Sequence, residues 1–225
     1  MVTSGTYDFR PDVEELISEA FERVGIDPQA LTGYQAKTAR RSLNLTFNDL
    51  SNRGINYWAL KNTELVLTPG QVKYTLPKGT IELLDVALRE QSSNGPFDTA
   101  MLQLSIADYN VLPNKNIAGR PHLWFFDRKY TPELYLYQPP NRADYSVLYW
   151  AVHQIEDITG SAQDANIPYR VTDCACAGLA ARLALKLAPD RYEILAQDYE
   201  RTFALLEKAD NEGVTISIEP ANLMG

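Results

Sequence analysis

The sequence predicts an α+β protein: an antiparallel helical bundle built from both ends of the chain, with an inserted β-rich domain and a C-terminal extended arm. Three observations lead there. Apolar residues recur at three- and four-residue steps near both termini. The middle alternates every second residue between turns rich in Pro, Gly, Asn and Asp. The last residues return to alternation. The boundaries expected are 1–62 for the first part of the bundle, 63–158 for the β-rich insertion, 159–212 for the second part and 213–225 for the arm.

The first helix is expected over 12–25, where Val13, Leu16, Ile17, Ala20, Phe21 and Val24 share one face. Asp12 with Glu15 has the form of a capping box, and Gly25 is a natural stop. After the linker IDPQALTG, a second helix is expected from about Tyr34 to Arg53, ending before Gly54. Ala36, Ala39, Leu43, Phe47 and Leu50 form its apolar side. Lys37, Arg40 and Arg41 cluster opposite, as a solvated face or a meeting point for an acidic partner.

In the β-rich block, TELVLTPGQVKYTLP reads as a hairpin around Pro-Gly, with Val66, Val72, Tyr74 and Leu76 as packing residues. IELLDVALRE, HLWFFD, ELYLYQ and YSVLYWAVH follow as strands, with a short helix at LSIADYNVL. Pro168 then opens a helix at a favoured position, and Pro189 and Asp190 open the last, which runs to about Asn211. The former is small on most faces, with Ala175, Ala177, Gly178, Ala180, Ala181 and Ala184, so neighbouring helices can approach closely. The latter carries a stripe of Leu195, Tyr199, Phe203 and Leu206. In the closing GVTISIEPANLMG, Val214, Ile216 and Ile218 face one way and call for a sheet edge in this chain or a neighbour's.

Composition narrows the function. A chain of 225 residues can bury roughly 70–75% of its unfolded surface without a metal or disulfide staple. The net charge of −8 is spread out: 7 basic against 8 acidic residues in 1–62, 8 against 11 in 63–158, and 6 against 10 in 159–225. No segment has the positive footprint of a protein that grips DNA or an anionic membrane. No apolar run reaches the roughly 18–20 residues that span a bilayer. The opening MVTSGTYDFRPDVEEL is not expected to be a secretory leader, and the protein is expected to work after synthesis in a reducing cytoplasm. Cys174 and Cys176, at i and i+2 in a helical pattern, point apart and are expected to be buried packing residues rather than a disulfide or zinc ligands.

Catalytic motifs are missing from the sequence. His122 and His153 sit in strand patterns without a recognisable partner, and there is no G-x-S-x-G elbow, Gly-rich phosphate loop or metal-spaced His/Cys cluster. EDITGSAQDA lacks the spacing of a calcium loop. No catalytic residue, metal or cofactor is expected. The aromatic content is more informative: 13 tyrosines and 3 tryptophans, many within 124–150 and in NYWAL. Tyr57, Trp58, Tyr135 and Tyr137 are candidate interface residues, because such side chains suit surfaces that are buried yet partly wet. In ELYLYQ, Leu134 and Leu136 oppose Tyr135 and Tyr137. A sheet apolar on both faces must be sandwiched or covered by another subunit.

The order of these segments resembles the head-to-tail adaptor (connector) proteins of short-tailed bacteriophages, the family of the P22-type tail accessory factor. The likeness is carried by the first helix ending in RVGI, by ARRSLNLTFNDLSNRGINYWAL, by LTPGQVKYTLP and by SIADYNVLPNKNIAGRPHLWFFDRKYTPELYLYQPP. IPYRVTDCACAGLAARLALKLAP and YERTFALLEKADNEG extend it. The resemblance implies a structural protein of the virion head–tail junction. It would form a homo-oligomeric ring, expected to have twelve copies, beneath the portal protein. That ring would extend the DNA channel, let genomic DNA pass without specific binding, and dock the tail nozzle or fibres, with no membrane partner. It also implies that Val214, Ile216 and Ile218 belong to an arm reaching towards the portal. Two alternatives stand beside it: another tail or baseplate structural protein, and a cell-wall hydrolase using Asp127 and Glu133.

Overall fold

In the computed structural model, the described residues are 5, 11–55, 59–93, 95–160, 165 and 167–210. The fold is mixed α+β, with five α-helices and two four-stranded sheets among them. Two compact units are present: one uses residues up to Thr46 and from Pro168 onward, the other uses Phe47–Thr159.

The helical unit begins with α1 (Val13–Val24), whose capping box is complete. The Glu15 amide donates to Asp12 Oδ1 at 2.8 Å and the Asp12 amide to Glu15 Oε2 at 3.1 Å, which satisfies two N-terminal donors at once. Gly25 closes the helix at φ 84°, a conformation that favours glycine. All six residues of the expected stripe are buried. Helix α2 (Gly33–Asn52) crosses the division between the units; Ala39, Leu43, Phe47 and Leu50 are buried, whereas Ala36 is only half-buried. Later in the chain come α4 (Tyr169–Leu187) and α5 (Tyr192–Asp210), and α4 packs against both α1 and α5. At Gly178 a Cβ would lie 2.6 Å from Thr46 Cγ2 and 2.8 Å from Tyr199 Cε2. Helices α2 and α5 therefore both close on α4 at the one residue without a side chain.

The second unit is a β-sandwich. Its strands are β1 (Leu60–Val66), β2 (Lys73–Thr75), β3 (Thr80–Ser92), β4 (Gly95–Ala100), β5 (Leu102–Gln103), β6 (Leu123–Asp127), β7 (Glu133–Tyr137) and β8 (Tyr145–His153). One sheet is antiparallel in the order β1-β8-β3-β4; the other runs β2-β7-β6-β5, with only β5–β6 parallel. Val86, Leu88, Val147 and Tyr149 from the first sheet meet Tyr74, Trp124, Phe126, Leu134 and Leu136 from the second in one apolar core. A register shift between Leu83 and Asp85 lets Leu83, Val86 and Leu88 all face inward, although their spacing breaks strict alternation. The indole N–H of Trp124 donates to the Met101 carbonyl at 3.2 Å, so its one polar group is satisfied inside the core.

The hairpin expected at TELVLTPGQVKYTLP does not form. β1 pairs with β8 and β2 with β7, so the chain crosses from one sheet to the other at Pro69-Gly70. The turn is held by the first residue of β8 and the segment before it: the Leu67 amide donates to Tyr145 O and the Gly70 amide to Pro140 O. Tyr74 completes the corner, its hydroxyl accepting from the Thr68 amide and donating to the Thr68 carbonyl. Leu67 takes the inward position and Val66 is 72% exposed. The short helix α3 (Ile106–Val111) forms where LSIADYNVL suggested, capped by Ser105.

Candidate assembly surfaces

Lys37 and Arg41 are exposed and Arg40 half-buried on the first half of α2. The structure adds two basic residues from the far end of the sequence. Lys186 of α4 donates from Nζ to Ser42 Oγ at 2.6 Å. Burial lowers the Lys186 pKa, and the nearby charges of Arg41 and Arg182 push it the same way. Residues 33–48 and 174–189 contain no Asp or Glu, so these two helical stretches themselves contribute only basic charge. Leu45 and Leu185 are 46% and 59% exposed, adding apolar surface on the same helices. Sequence inspection finds Lys37, Arg40 and Arg41; Arg182 and Lys186 join them only through the packing of α2 on α4.

A groove of about 580 Å³ lies between α1 and the first turns of α4. Glu15, Glu19, Glu22 and Asp173 line it against only two guanidiniums, Arg23 and Arg170. Arg23 is shared, at 2.8 Å from Glu19, 2.8 Å from Asp173 and 3.6 Å from Asp198. Burial works against its charge, but the hydrogen bonds it donates to Asp173 and Glu19 outweigh this and raise its pKa. Leu16 and Cys176 supply an apolar floor.

The aromatic face of the second sheet is covered by the chain itself. Tyr109 of α3 stacks on Phe125 at 5.5 Å and meets Tyr135 edge-on at 5.6 Å. Tyr135 is half-buried, and its hydroxyl donates to Glu133 at 3.0 Å. Tyr137 is also half-buried, with its ring against His122 at 5.8 Å. Much of the aromatic wealth is therefore internal packing, and the half-exposed rims of Tyr135 and Tyr137 are what could meet another molecule. Tyr57, Trp58, Val214, Ile216 and Ile218 lie outside the described residues.

The carboxylates Asp127 and Glu133 are directly opposite each other across β6 and β7. Lysines hold both: Lys73 Nζ is 2.9 Å from Glu133, and Lys129 contacts Asp127 and Glu133. The bond from Lys73, helped by Tyr135, holds Glu133 below the usual carboxylate range. An acid catalyst needs the opposite shift, so this pair is a strand-end ion cluster. Burial, with Lys61, lowers the pKa of His153. Among the described residues no group of His, Cys, Asp and Glu is arranged to hold a metal ion, and no described helix is long and apolar enough to cross a membrane.

No curated protein matches the chain. A family model does: that of the SU10 adaptor protein matches residues 11–218, a span that takes in the helical unit, the sandwich and both charged surfaces. A structural protein whose charged and aromatic side chains are engaged in packing and ion pairing agrees with that match, and the chain belongs to the SU10 adaptor protein family, a phage adaptor of the virion head–tail junction.

Proposed function

We propose that this protein is a ring-forming head-to-tail adaptor of the kind found in short-tailed, P22-type phages. It sits beneath the portal protein, extends the DNA channel and presents a surface to the tail nozzle or fibres. The observation that carries this is the family match across 11–218. It is supported by two oppositely charged surfaces on one helical unit, which give copies of the chain a means of contact. The ring is expected to have twelve copies, and residues 213–225, with Val214, Ile216 and Ile218, are its arm towards the portal. Twelve copies at −8 each would bring a charge of about −96, which lets DNA slide through without adhering.

The test is electron microscopy in negative stain of the cognate portal ring, alone and after incubation with this protein. An added tier of density with the portal's rotational symmetry is expected. A portal that stays bare beside folded protein would move the assignment to a component lower in the tail. Deleting 213–225 should abolish attachment while leaving the two folded units intact.

A further inference from the structure

We infer that neighbouring copies are joined head to tail, with the basic patch of one copy (Arg41, Arg182 and Lys186, flanked by Lys37 and Arg40) seated against the acidic groove between α1 and α4 of the next. This deepens the adaptor assignment and rests on it for the closed ring.

Charge supports the pairing first. The patch lies on two helical stretches without a carboxylate, and the groove has four carboxylates to two guanidiniums. One of those guanidiniums, Arg23, already serves three acids. A groove so composed favours the arrival of another cation. Apolar surface accompanies the charge on the patch, through Leu45 and Leu185. An interface with both components gains from burial as well as attraction.

Geometry supports it second. Both surfaces use α4. Asp173 and Arg182 are about two and a half helical turns apart, which places them on opposite sides of the helix and about 13 Å apart along its axis. Two complementary surfaces on opposite sides of one element cannot satisfy each other in a two-fold dimer of the self-complementary kind. They generate heterologous contacts that propagate from copy to copy and end only when a ring closes. DNA is the other conceivable anion for the patch. A chain of net charge −8 repels a phosphate backbone outside that patch, whereas the groove offers a carboxylate surface on every copy.

Charge reversal tests this directly. Three full-length proteins are compared by mass photometry, alone and on the purified portal ring: wild type, Arg41→Glu/Lys186→Glu, and Glu19→Lys/Glu22→Lys. Each variant alone should need at least ~10-fold more protein to assemble. An equimolar mixture should recover assembly at lower concentration than either variant alone, because the reversed side chains of each variant then face the reversed side chains of the other. Ellipticity at 222 nm confirms folding, and Glu22→Lys alone, which leaves the Arg23 cluster intact, replaces the double variant if that one unfolds. Variants that assemble like wild type, or folded variants whose mixture does not recover, overturn the interface. So does a wild type whose copies never join in either condition. Normal assembly combined with lost binding of a labelled DNA duplex by the Arg41→Glu/Lys186→Glu protein would overturn it in favour of a phosphate contact. Wild-type copies that join each other but leave the portal bare would instead sink the adaptor assignment and leave this interface standing.

Discussion

Burial pushes the Cys176 thiol up to about 12 against the lowering influence of Arg23, and Sγ lies 3.9 Å from the Leu16 carbonyl. Such a group is almost entirely protonated at neutral pH, and Cys176 is only 4% exposed, so it presents little to a reagent. Native protein treated with a thiol-reactive disulfide at pH 8 should therefore release almost no chromophore, and should release two equivalents, one per cysteine, after unfolding in guanidinium. Prompt reaction of the native protein would show that the α1–α4 packing opens readily. His153 gives the second prediction at this scale. Burial, then Lys61, lowers its pKa from the ordinary 6.5, so across the interval below 6.5 the unfolded state binds more protons than the folded one. Stability must fall as pH drops through that interval. Urea midpoints measured from pH 7.5 to 5 should decline, and His153→Gln should flatten the decline; an unchanged slope would assign it to other groups. The sequence shows both cysteines as buried packing residues, because helical spacing fixes which way such residues point; strand alternation places His153 in β8, whereas His122 is exposed and precedes β6. The sequence does not show that Arg182 and Lys186 complete the cluster begun by Lys37, Arg40 and Arg41, since only the packing of α4 on α2 joins segments so far apart.

Helix α4 is the element on which the helical unit depends. Its small residues were legible as a surface for close approach, and Gly178 shows the reason, with Thr46 on one side and Tyr199 on the other. Gly178→Ala gains up to ~1 kcal/mol of helix propensity, but its methyl meets two buried side chains, and overpacking of this kind costs about 1–3 kcal/mol. A net loss of ~1 kcal/mol is expected for Ala and about 2 kcal/mol or more for Val, read from urea midpoints at 222 nm; a stabilised Ala variant would mean that the three helices can separate without cost. The β elements were legible as strands but not in their pairing. Periodicity shows that 60–66 and 73–75 are strands, and a Pro-Gly turn between them favours a hairpin. What overrides the turn is tertiary: Leu67 and Tyr74 must enter one core from two sheets, and β8, distant in sequence, supplies seven partners for β1. Likewise, alternation in ELYLYQ revealed two apolar faces, but not that α3 would bring Tyr109 onto the outer one.

At the scale of the whole molecule, the two units carry different spectroscopic reporters. The two tryptophans among the described residues, Trp124 and Trp150, fall within the Phe47–Thr159 unit, whereas three of the four long helices, α1, α4 and α5, belong to the other. Tryptophan emission thus follows the sandwich, and ellipticity at 222 nm follows mainly the helices. Each unit has its own buried core, one centred on Leu16, Phe21, Leu179 and Leu183, the other on Tyr149, Leu88, Leu134 and Leu136, and a unit with its own core can unfold on its own. Helix α2 works against this independence, because it contributes Leu43 before the division and Phe47 and Leu50 after it. A mutation confined to the helical core decides which effect dominates. Gly178→Val should lower the urea midpoint seen at 222 nm and leave that seen by tryptophan emission within about 0.3 M, given urea slopes of about 1–3 kcal/mol/M. Equal shifts in both signals would show that α2 couples the units into one cooperative body, and a ring built from such subunits would transmit strain from its helical contacts directly into the sandwich.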